Sequence, residues 1–305
     1  MQVLLIAGGW SSEREVALSG AKGIHQALEN LGHHVDMLDP AHELDQLLDR
    51  AQASDFAFLS LHGAPGEDGL IQAMLDRVGC PYQGTGPAGS FLALNKVAAK
   101  HLFVRNGLTT PRWDFLPSMP QGGYTPSMGL PVFVKANTGG SSLDMGLART
   151  QEELDELLGS ILGKSLEVVV EEALSGVELT CGVLGGDTLP PILIRPVTEG
   201  SVFFDYASKY VQGGAEELCP APVNEELTRE LKDKALKAHQ ILGLEGYSRA
   251  DFILADNTLY LLEVNTLPGM TPTSLLPQSA AAVGMSFEDL IAKLMDLGLA
   301  RHGGG

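Results

Sequence analysis

An arginine, two carboxylates and an amide stand close together late in the chain, on two stretches whose pattern predicts β-strands. Arg249 and Asp251 belong to the first stretch, and Glu263 and Asn265 belong to the second. Residues two apart on a strand project from one face, so Glu263 and Asn265 share a face. Carboxylate and amide oxygens are the hard ligands that Mg²⁺ prefers, and such a site leaves room for phosphates. The pattern therefore predicts a divalent-cation site that serves ATP chemistry.

The turn between the two strands decides whether Asp251 faces the same cation. In a hairpin, Asp251 shares a face with Glu263 only when the turn contains an odd number of residues, and a two-residue turn without a bulge would separate them. We predict a three-residue turn at residues 255–257, because Asn257 tolerates the left-handed conformation at its end.

Arg249 lies two residues before Asp251 and shares its strand face. It could form a salt bridge with Asp251 or Glu263, or it could face an oxyanion that develops during a reaction. We favour the second interpretation, because the predicted metal ions already engage the carboxylates.

Strand and helix patterns alternate in the first part of the chain. This alternation predicts a doubly wound parallel sheet, which collects ligands at the carboxyl ends of its strands. Glu13 and His62 lie in loops at that edge. Glu13 could receive an ammonium group or only complement a helix dipole. His62 could donate to a substrate oxygen or be an ordinary loop histidine.

The later part of the chain mixes short strands and helices, and a glycine-rich stretch at residues 200–216 is typical of a lid. The fold class is therefore α/β and α+β. We predict an amino-terminal α/β substrate-binding domain over residues 1–87 and a central domain over residues 88–180. A carboxy-terminal domain over residues 181–305 would carry the cation site and the lid.

Several polar groups in the middle of the chain could bind a nucleotide. Lys135 ends an apolar strand, and the glycine-serine loop at residues 138–142 follows it. Glycines let backbone N–H groups approach phosphate oxygens closely. Glu171 and Glu178 flank a turn and could accept from ribose hydroxyls or only satisfy that turn.

Two further segments have an ordinary and a functional interpretation. Lys96 lies in a helix that we predict over residues 90–105, where a solvated lysine is the ordinary expectation. Residues 268–274 could be a plain loop, or their backbone N–H groups and Ser274 could hold a carboxylate.

Composition limits the classes of function. The 305 residues carry a net charge of -18, which argues against a nucleic-acid or anionic-membrane surface. Three distant cysteines without a CxxC spacing suggest neither a zinc site nor disulfides, so a reducing cytoplasm is expected. The first residues predict a strand and not a signal peptide, and no apolar run is long enough to span a bilayer.

Taken in order, these motifs resemble the D-alanine–D-alanine ligase family of the ATP-grasp superfamily. The resemblance covers nearly the whole chain. The matching segments are Gly8-Gly-Trp-Ser-Ser-Glu-Arg-Glu-Val16, Leu61-His-Gly63 with Gly66-Glu-Asp-Gly69, Gly140-Ser-Ser142, Phe204-Asp-Tyr206 with Lys209-Tyr210, Arg249-Ala-Asp251 and Glu263-Val-Asn-Thr-Leu-Pro-Gly-Met-Thr271.

The resemblance implies a three-domain ATP-grasp fold that clasps ATP, with these binding roles. Phosphates would be bound by Lys96, Lys135, Ser142 and Lys209. Adenine and ribose would be held by Glu171, Leu174 and Glu178. Two Mg²⁺ or Mn²⁺ ions would be bound by Asp251, Glu263 and Asn265, with Glu263 bridging.

The resemblance also implies how two D-alanine molecules would be joined for peptidoglycan synthesis. The first ammonium would be received by Glu13, near His62, and the second carboxylate by Ser274 and the Leu275 backbone. The oxyanion would be bound by Arg249 and the Gly269 N–H. Ser141 and Tyr210 would link with Glu13 to order the lid. The family is cytoplasmic and usually homodimeric.

Other functions stay open at this point. A D-alanine–D-lactate ligase, or another carboxylate–amine ligase of the superfamily, would share most of these motifs. Tyr210 favours the dipeptide, since ester-forming relatives tend to have Phe there. A non-catalytic nucleotide-binding module is opposed by the intact polar set of the predicted hairpin. A dehydrogenase is opposed by the lack of G-x-G-x-x-G after the first strand.

Overall fold

A computed structural model gives the architecture and describes residues 1–139, 144–164, 166–196 and 215–303. The predicted lid stretch lies almost wholly outside these ranges. Four predicted site residues also lie outside the described residues: Ser141, Ser142, Lys209 and Tyr210.

The amino-terminal sheet is parallel, as the alternating pattern predicts. Its strands run in the order β2-β1-β3, and they are β1 (Gln2–Ala7), β2 (His34–Leu38) and β3 (Phe56–Ser60). The accompanying helices are α1 (Arg14–Asn30), α2 (Pro40–Glu43), α3 (Leu47–Gln52) and α4 (Leu70–Val78), with a 3₁₀ turn at Leu44–Gln46. Residues 3–7 of β1 are wholly buried, which explains the continuous apolar run of this central strand.

The central sheet is antiparallel and has the strand order β4-β7-β5-β6. Its strands are β4 (Trp113–Leu116), β5 (Val132–Ala136), β6 (Met145–Ala148) and β7 (Val168–Glu172). Helix α7 (Gln151–Leu162) packs on this sheet through Leu154, Leu158 and Ile161. A capping box between Thr150 and Glu153 starts α7.

The third sheet carries the predicted hairpin. Its order is β11-β10-β8-β12-β13, with β9 paired to β8. The strands are β8 (Val177–Leu184), β9 (Asp187–Thr188), β10 (Ile192–Pro196), β11 (Ala215–Leu218), β12 (Tyr247–Ala255) and β13 (Thr258–Asn265). Helix α8 (Glu225–Ile241) covers this sheet. The helices α9 (Leu275–Ala281) and α10 (Phe287–His302) instead pack into the core of the amino-terminal sheet.

The helix predicted over residues 90–105 is interrupted. Two helices occupy this region, α5 (Pro87–Leu94) and α6 (Lys96–Arg105). Asn95 between them is extended, with ψ 97, and its side chain accepts from the Ala98 N–H at 3.0 Å. The Lys96 N–H donates to the Asn137 carbonyl, which anchors the start of α6 to the central sheet's loop. The break therefore directs Lys96 away from solvent.

The buried apolar residues form three main cores, one for each sheet. Helices α5 and α6 contribute to the core of the third sheet, although they precede the central sheet in the chain. The domain boundaries at residues 87/88 and 180/181 stay a prediction. Within the described residues, no helix combines the length and apolar character needed to cross a membrane.

Two glycine-to-alanine changes in helices should have opposite effects on stability. A Cβ at Gly298 of α10 would lie 2.5 Å from the Tyr82 carbonyl oxygen, whereas a Cβ at Gly159 of α7 would meet nothing within 4 Å. Gly298→Ala should destabilise by about 1–3 kcal/mol through overpacking. Gly159→Ala should stabilise by about 0.5–1 kcal/mol through helix propensity. Calorimetric melting measures both, and equal shifts would contradict the close packing of α10.

Candidate active site

A large cavity of about 590 Å³ lies between the sheets, and this volume suits a small-molecule site. Every predicted site residue that the structure describes lines this cavity. They are Glu13, His62, Lys96, Lys135, Glu171, Leu174, Glu178, Arg249, Asp251, Glu263, Asn265, Gly269, Ser274 and Leu275. The fold thus brings together residues that lie more than 250 positions apart in the sequence.

The hairpin turn differs from the predicted one. It contains two residues, Asp256 and Asn257, both with positive φ (47° and 58°), and Ala255 pairs with Thr258. This geometry is that of a type I′ turn, whose twist matches that of the strands. The prediction of a three-residue turn is therefore wrong.

A β-bulge restores the parity that the two-residue turn would have lost. Phe252 pairs with Leu261, but Asp251 pairs with Glu263, so Leu262 is an extra residue on β13. One extra residue shifts the alternation of side chains by one position. Asp251 consequently faces the cavity together with Glu263, as the cation prediction requires.

Asp251 is surrounded by hydrogen-bond donors. Arg249 chelates it, with Nε 2.9 Å from Oδ1 and Nη2 2.7 Å from Oδ2. Asn265 Nδ2 donates to Oδ2 at 2.9 Å, and Thr180 Oγ1 donates to Oδ1 at 2.6 Å. The salt bridge that we set aside for Arg249 is thus present. Thr180 was not predicted, because its position on β8 opposite Asp251 follows only from the sheet order.

Lys96 joins the hairpin from the other side of the cavity. Its Nζ lies 3.9 Å from Glu263 Oε2 and donates to the Gly139 carbonyl at 2.5 Å. The side chain is only 11% exposed, so it is not the solvated helix lysine of the ordinary interpretation. Among the described residues, no three His, Cys, Asp or Glu side chains cluster as a metal site. A cation here would therefore need the amide of Asn265 besides the two carboxylates.

Glu171, on β7 of the central sheet, lies between two lysines. Lys135 Nζ lies 2.6 Å from Oε2, and Lys100 Nζ lies 2.9 Å from Oε1. Burial alone would raise the pKa of Glu171, but the two ammonium groups lower it to about 2. Lys100 was not predicted, because a lysine in the middle of a helix ordinarily faces solvent.

Two carboxyl groups and a histidine meet near the amino-terminal sheet. Desolvation, together with the Arg249 charge, lowers the pKa of His62 to about 4. The Gly63 N–H donates to Glu67 at 2.7 Å, and burial together with the Glu13 charge raises the pKa of Glu67 to about 8. Glu67 was missed, although it lies in the loop that follows His62. The sequence could not show that the fold would bury it beside Glu13.

The loop before α9 lines the cavity with a hydroxyl group and backbone. Ser274 Oγ accepts from the Thr271 N–H at 3.1 Å and lies 2.7 Å from Thr271 Oγ1. A Cβ at Gly269 would lie 2.9 Å from Ser274 Oγ, so glycine permits this close approach. Helix α9 begins at Leu275, directly after Ser274.

A parallel amino-terminal sheet, two antiparallel sheets and one polar cavity between them define an ATP-grasp ligase. A family model described as "D-ala D-ala ligase C-terminus" matches residues 108–296. The chain belongs to the D-alanine–D-alanine ligase family, whose members are ATP-dependent ligases that form a peptide bond.

Individual relatives agree with this assignment over nearly the whole chain. A D-alanine–D-alanine ligase of Oleidesulfovibrio alaskensis is 61% identical over 304 residues, covering 99% of this chain and 98% of the relative. One of Nitratidesulfovibrio vulgaris is 60% identical, covering 99% and 100%. The crystal structure of the Bacillus anthracis enzyme complexed with ATP superposes with a TM-score of 0.88 at 30% identity, covering 99% of each chain.

The depressed pKa of His62 should make stability depend on pH. Unfolded His62 binds a proton near pH 6.5 and folded His62 near pH 4, so the unfolded chain binds more protons between these values. The contribution of His62 to stability should fall as pH falls from 6.5 to 4, by up to about 1.4 kcal/mol per pH unit, whereas Glu67, with its raised pKa of about 8, contributes in the opposite direction between pH 8 and 4.5. The free energy of unfolding measured in urea should depend less steeply on pH in His62→Gln than in the wild type.

His239 provides an internal comparison for this measurement. Burial also lowers the pKa of His239 to about 4, and its ring lies 2.8 Å from Ser248 Oγ. His239→Gln should reduce the pH slope by a similar amount, and the double variant should reduce it further. An unchanged slope in the His62 variant would show that its ring is not desolvated.

Proposed function

We propose that the protein joins two D-alanine molecules in an ATP-dependent reaction, through an acyl phosphate, for peptidoglycan synthesis. The convergence of the described site residues on one cavity carries this proposal. Identity of 61% to a D-alanine–D-alanine ligase, over 99% of this chain and 98% of that relative, supports the substrates. The products would be D-alanyl-D-alanine, ADP and phosphate.

The nucleotide would occupy the end of the cavity between Lys96 and Glu171. Lys96 and Lys135 would bind phosphates, and Lys135 would exchange its contact with Glu171 for them. Glu171 would accept from the adenine amino group, and Glu178 and the Leu174 backbone would hold ribose and adenine. All five line the cavity, and Lys135 reaches Glu171 with a flexible side chain that is 14% exposed.

Two Mg²⁺ or Mn²⁺ ions would be held by Asp251, Glu263 and Asn265, with Glu263 bridging. Asp251 and Glu263 are directly paired across the two strands, and an oxygen donor set of this kind fits hard cations, which supports this assignment. The amide oxygen of Asn265 would have to face the carboxylates in place of the nitrogen that donates to Asp251. The ions supply neutralisation of charge on the transferred phosphoryl group.

The two amino acids would bind at the end of the cavity formed by the amino-terminal sheet. Glu13 would receive the first ammonium group, with His62 close by. Ser274 Oγ and the Leu275 N–H would hold the carboxylate of the second molecule. The first carboxylate attacks the γ-phosphorus and ADP leaves. The second amine then attacks the acyl carbon, phosphate leaves and the amine loses a proton.

Arg249 and the Gly269 N–H would bind the oxyanion of the second step. Arg249 lines the cavity and donates two hydrogen bonds to Asp251, so its guanidinium lies directly beside the carboxylate that would hold the cation.

The remaining roles concern residues outside the described ranges and the assembly. Ser142 and Lys209 would contribute phosphate contacts, and Ser141 and Tyr210 would order the lid together with Glu13. We propose a homodimer in the cytoplasm, in keeping with the family to which the chain belongs.

Product analysis tests the reaction. Protein incubated with Mg-ATP and D-alanine should release ADP and form D-alanyl-D-alanine, and mass spectrometry should find the dipeptide in excess over the ester when D-lactate competes. Ser274→Ala should raise KM for D-alanine about tenfold through loss of one hydrogen bond to a charged group. Thr273→Ala removes the neighbouring hydroxyl and is the matched control. ADP release without dipeptide would refute the proposal.

Metal dependence tests the hairpin site. EDTA should abolish activity, and excess Mn²⁺ should restore it. Asp251→Asn should raise the Mn²⁺ concentration for half-maximal activity by at least about tenfold. Asp256→Asn makes the same chemical change in the turn of the same hairpin, where φ of 47° suits Asn, and should leave that concentration unchanged. Mn²⁺ paramagnetic resonance measures binding directly, and equal affinity of both variants would remove Asp251 as a ligand.

A further inference from the structure

Lys100 is a buried lysine that the reaction described above does not use. Burial lowers the pKa of Lys100, and the Glu171 carboxylate opposes that shift and favours the ammonium form. It belongs to α6, and its side chain is 1% exposed. Its Nζ donates to Thr110 Oγ1 at 2.5 Å and lies 2.9 Å from Glu171 Oε1. Burying an ammonium group is costly unless it is paired and hydrogen-bonded. These two contacts offset the cost of burying Lys100.

The two lysines on Glu171 differ in their access to the cavity. Lys135 lines the cavity, as does Glu171, but Lys100 does not. Lys100, on α6, contacts the carboxylate oxygen of Glu171 that Lys135 does not contact. In the proposed complex Lys135 turns towards the phosphates, so Lys100 remains as the ionic partner that the nucleotide cannot reach.

We propose that Lys100 is a positioning residue that keeps Glu171 an acceptor and so makes the nucleotide site select a 6-aminopurine over a 6-oxopurine. This inference rests on the proposed function, in which Glu171 meets the purine. Lys100 would thus influence nucleotide specificity from outside the cavity, whereas the other residues of the proposed site would contact the ligand.

The selectivity follows from the hydrogen-bonding capacity of a carboxylate. An ionised carboxylate only accepts, whereas a protonated one also donates. The amino group of adenine donates to an acceptor, but the oxygen of a 6-oxopurine would face Glu171 acceptor against acceptor. Without Lys100, the buried Glu171 would lose the charge that offsets its desolvation, and it could take a proton or rotate. Either change would admit the 6-oxopurine.

Binding of ATP and inosine triphosphate, which differ at the purine 6-position, provides the test. Calorimetric Kd values for both nucleotides should be measured for the wild type, Lys100→Met and Lys100→Gln. In both variants the ratio of Kd for inosine triphosphate to Kd for ATP should fall. In Lys100→Met it should fall by at least about tenfold, which is the effect expected for loss of a hydrogen bond to a charged group. KM for ATP should rise while kcat at saturating ATP is retained, because the reacting groups are untouched.

Lys234→Met is the matched control. Lys234 on α8 is partly buried at 20% exposure, pairs with Glu230 at 2.7 Å and lies outside the cavity lining. The control should retain the wild-type preference. If the Lys100 variants bind both nucleotides more weakly by the same factor, Lys100 is only a packing residue and the inference fails.

Thr110→Val covers the case in which neutral Lys100 variants do not fold. It retains both charges and removes one contact of Lys100, so the preference should narrow by a smaller factor, and an unchanged preference overturns the inference. Dipeptide formation by the wild type is measured separately. If the wild type forms no dipeptide, the proposed function is refuted. If the wild type forms dipeptide but the variants keep the wild-type nucleotide selectivity, only the role of Lys100 is refuted.

Discussion

The register of the β12–β13 hairpin is the constraint on which the cavity depends. A type I′ turn fixes Ala255 opposite Thr258, and continued regular pairing would place Glu263 on the opposite face from Asp251. The extra residue Leu262 prevents this. Asp251 and Glu263 therefore share a face because of one β-bulge. β-Bulges are over-represented next to active sites, where they redirect side chains.

Charge pairing organises the rest of the cavity. The protein carries a net charge of -18, yet the cations of its cavity wall each contact an acceptor. Arg249 holds Asp251, Lys96 approaches Glu263, and Lys135 holds Glu171. A highly charged ligand can bind in such a site when the cations exchange their protein carboxylates for groups of the ligand. A cation is then paired with an acceptor both before and after the ligand binds.

Local patterns in the sequence predicted most of the elements and the members of the site. The alternation of strands and helices predicted the parallel sheet, and the spacing of Glu263 and Asn265 predicted their shared face. Features that depend on neighbours distant in the chain were not predicted. The helix predicted over residues 90–105 is interrupted because Asn95 caps α6 and the Lys96 N–H donates to the Asn137 carbonyl. The length of the hairpin turn alone could not reveal the β-bulge that compensates for it. Lys100 and Glu67 acquire their significance from burial beside Glu171 and Glu13.

The packing of α10 has a consequence for the order in which the molecule can form. Leu290, Ile291 and Leu294 are fully buried in the same core as strands β1 to β3, which precede them by more than 200 residues in the chain. Until these late residues emerge, the earliest sheet lacks part of its apolar cover. Growing chains often fold their first domain during synthesis. The apolar cover of the amino-terminal sheet is therefore completed only after residue 294 has been synthesised, so part of its surface stays exposed while the two antiparallel sheets are made.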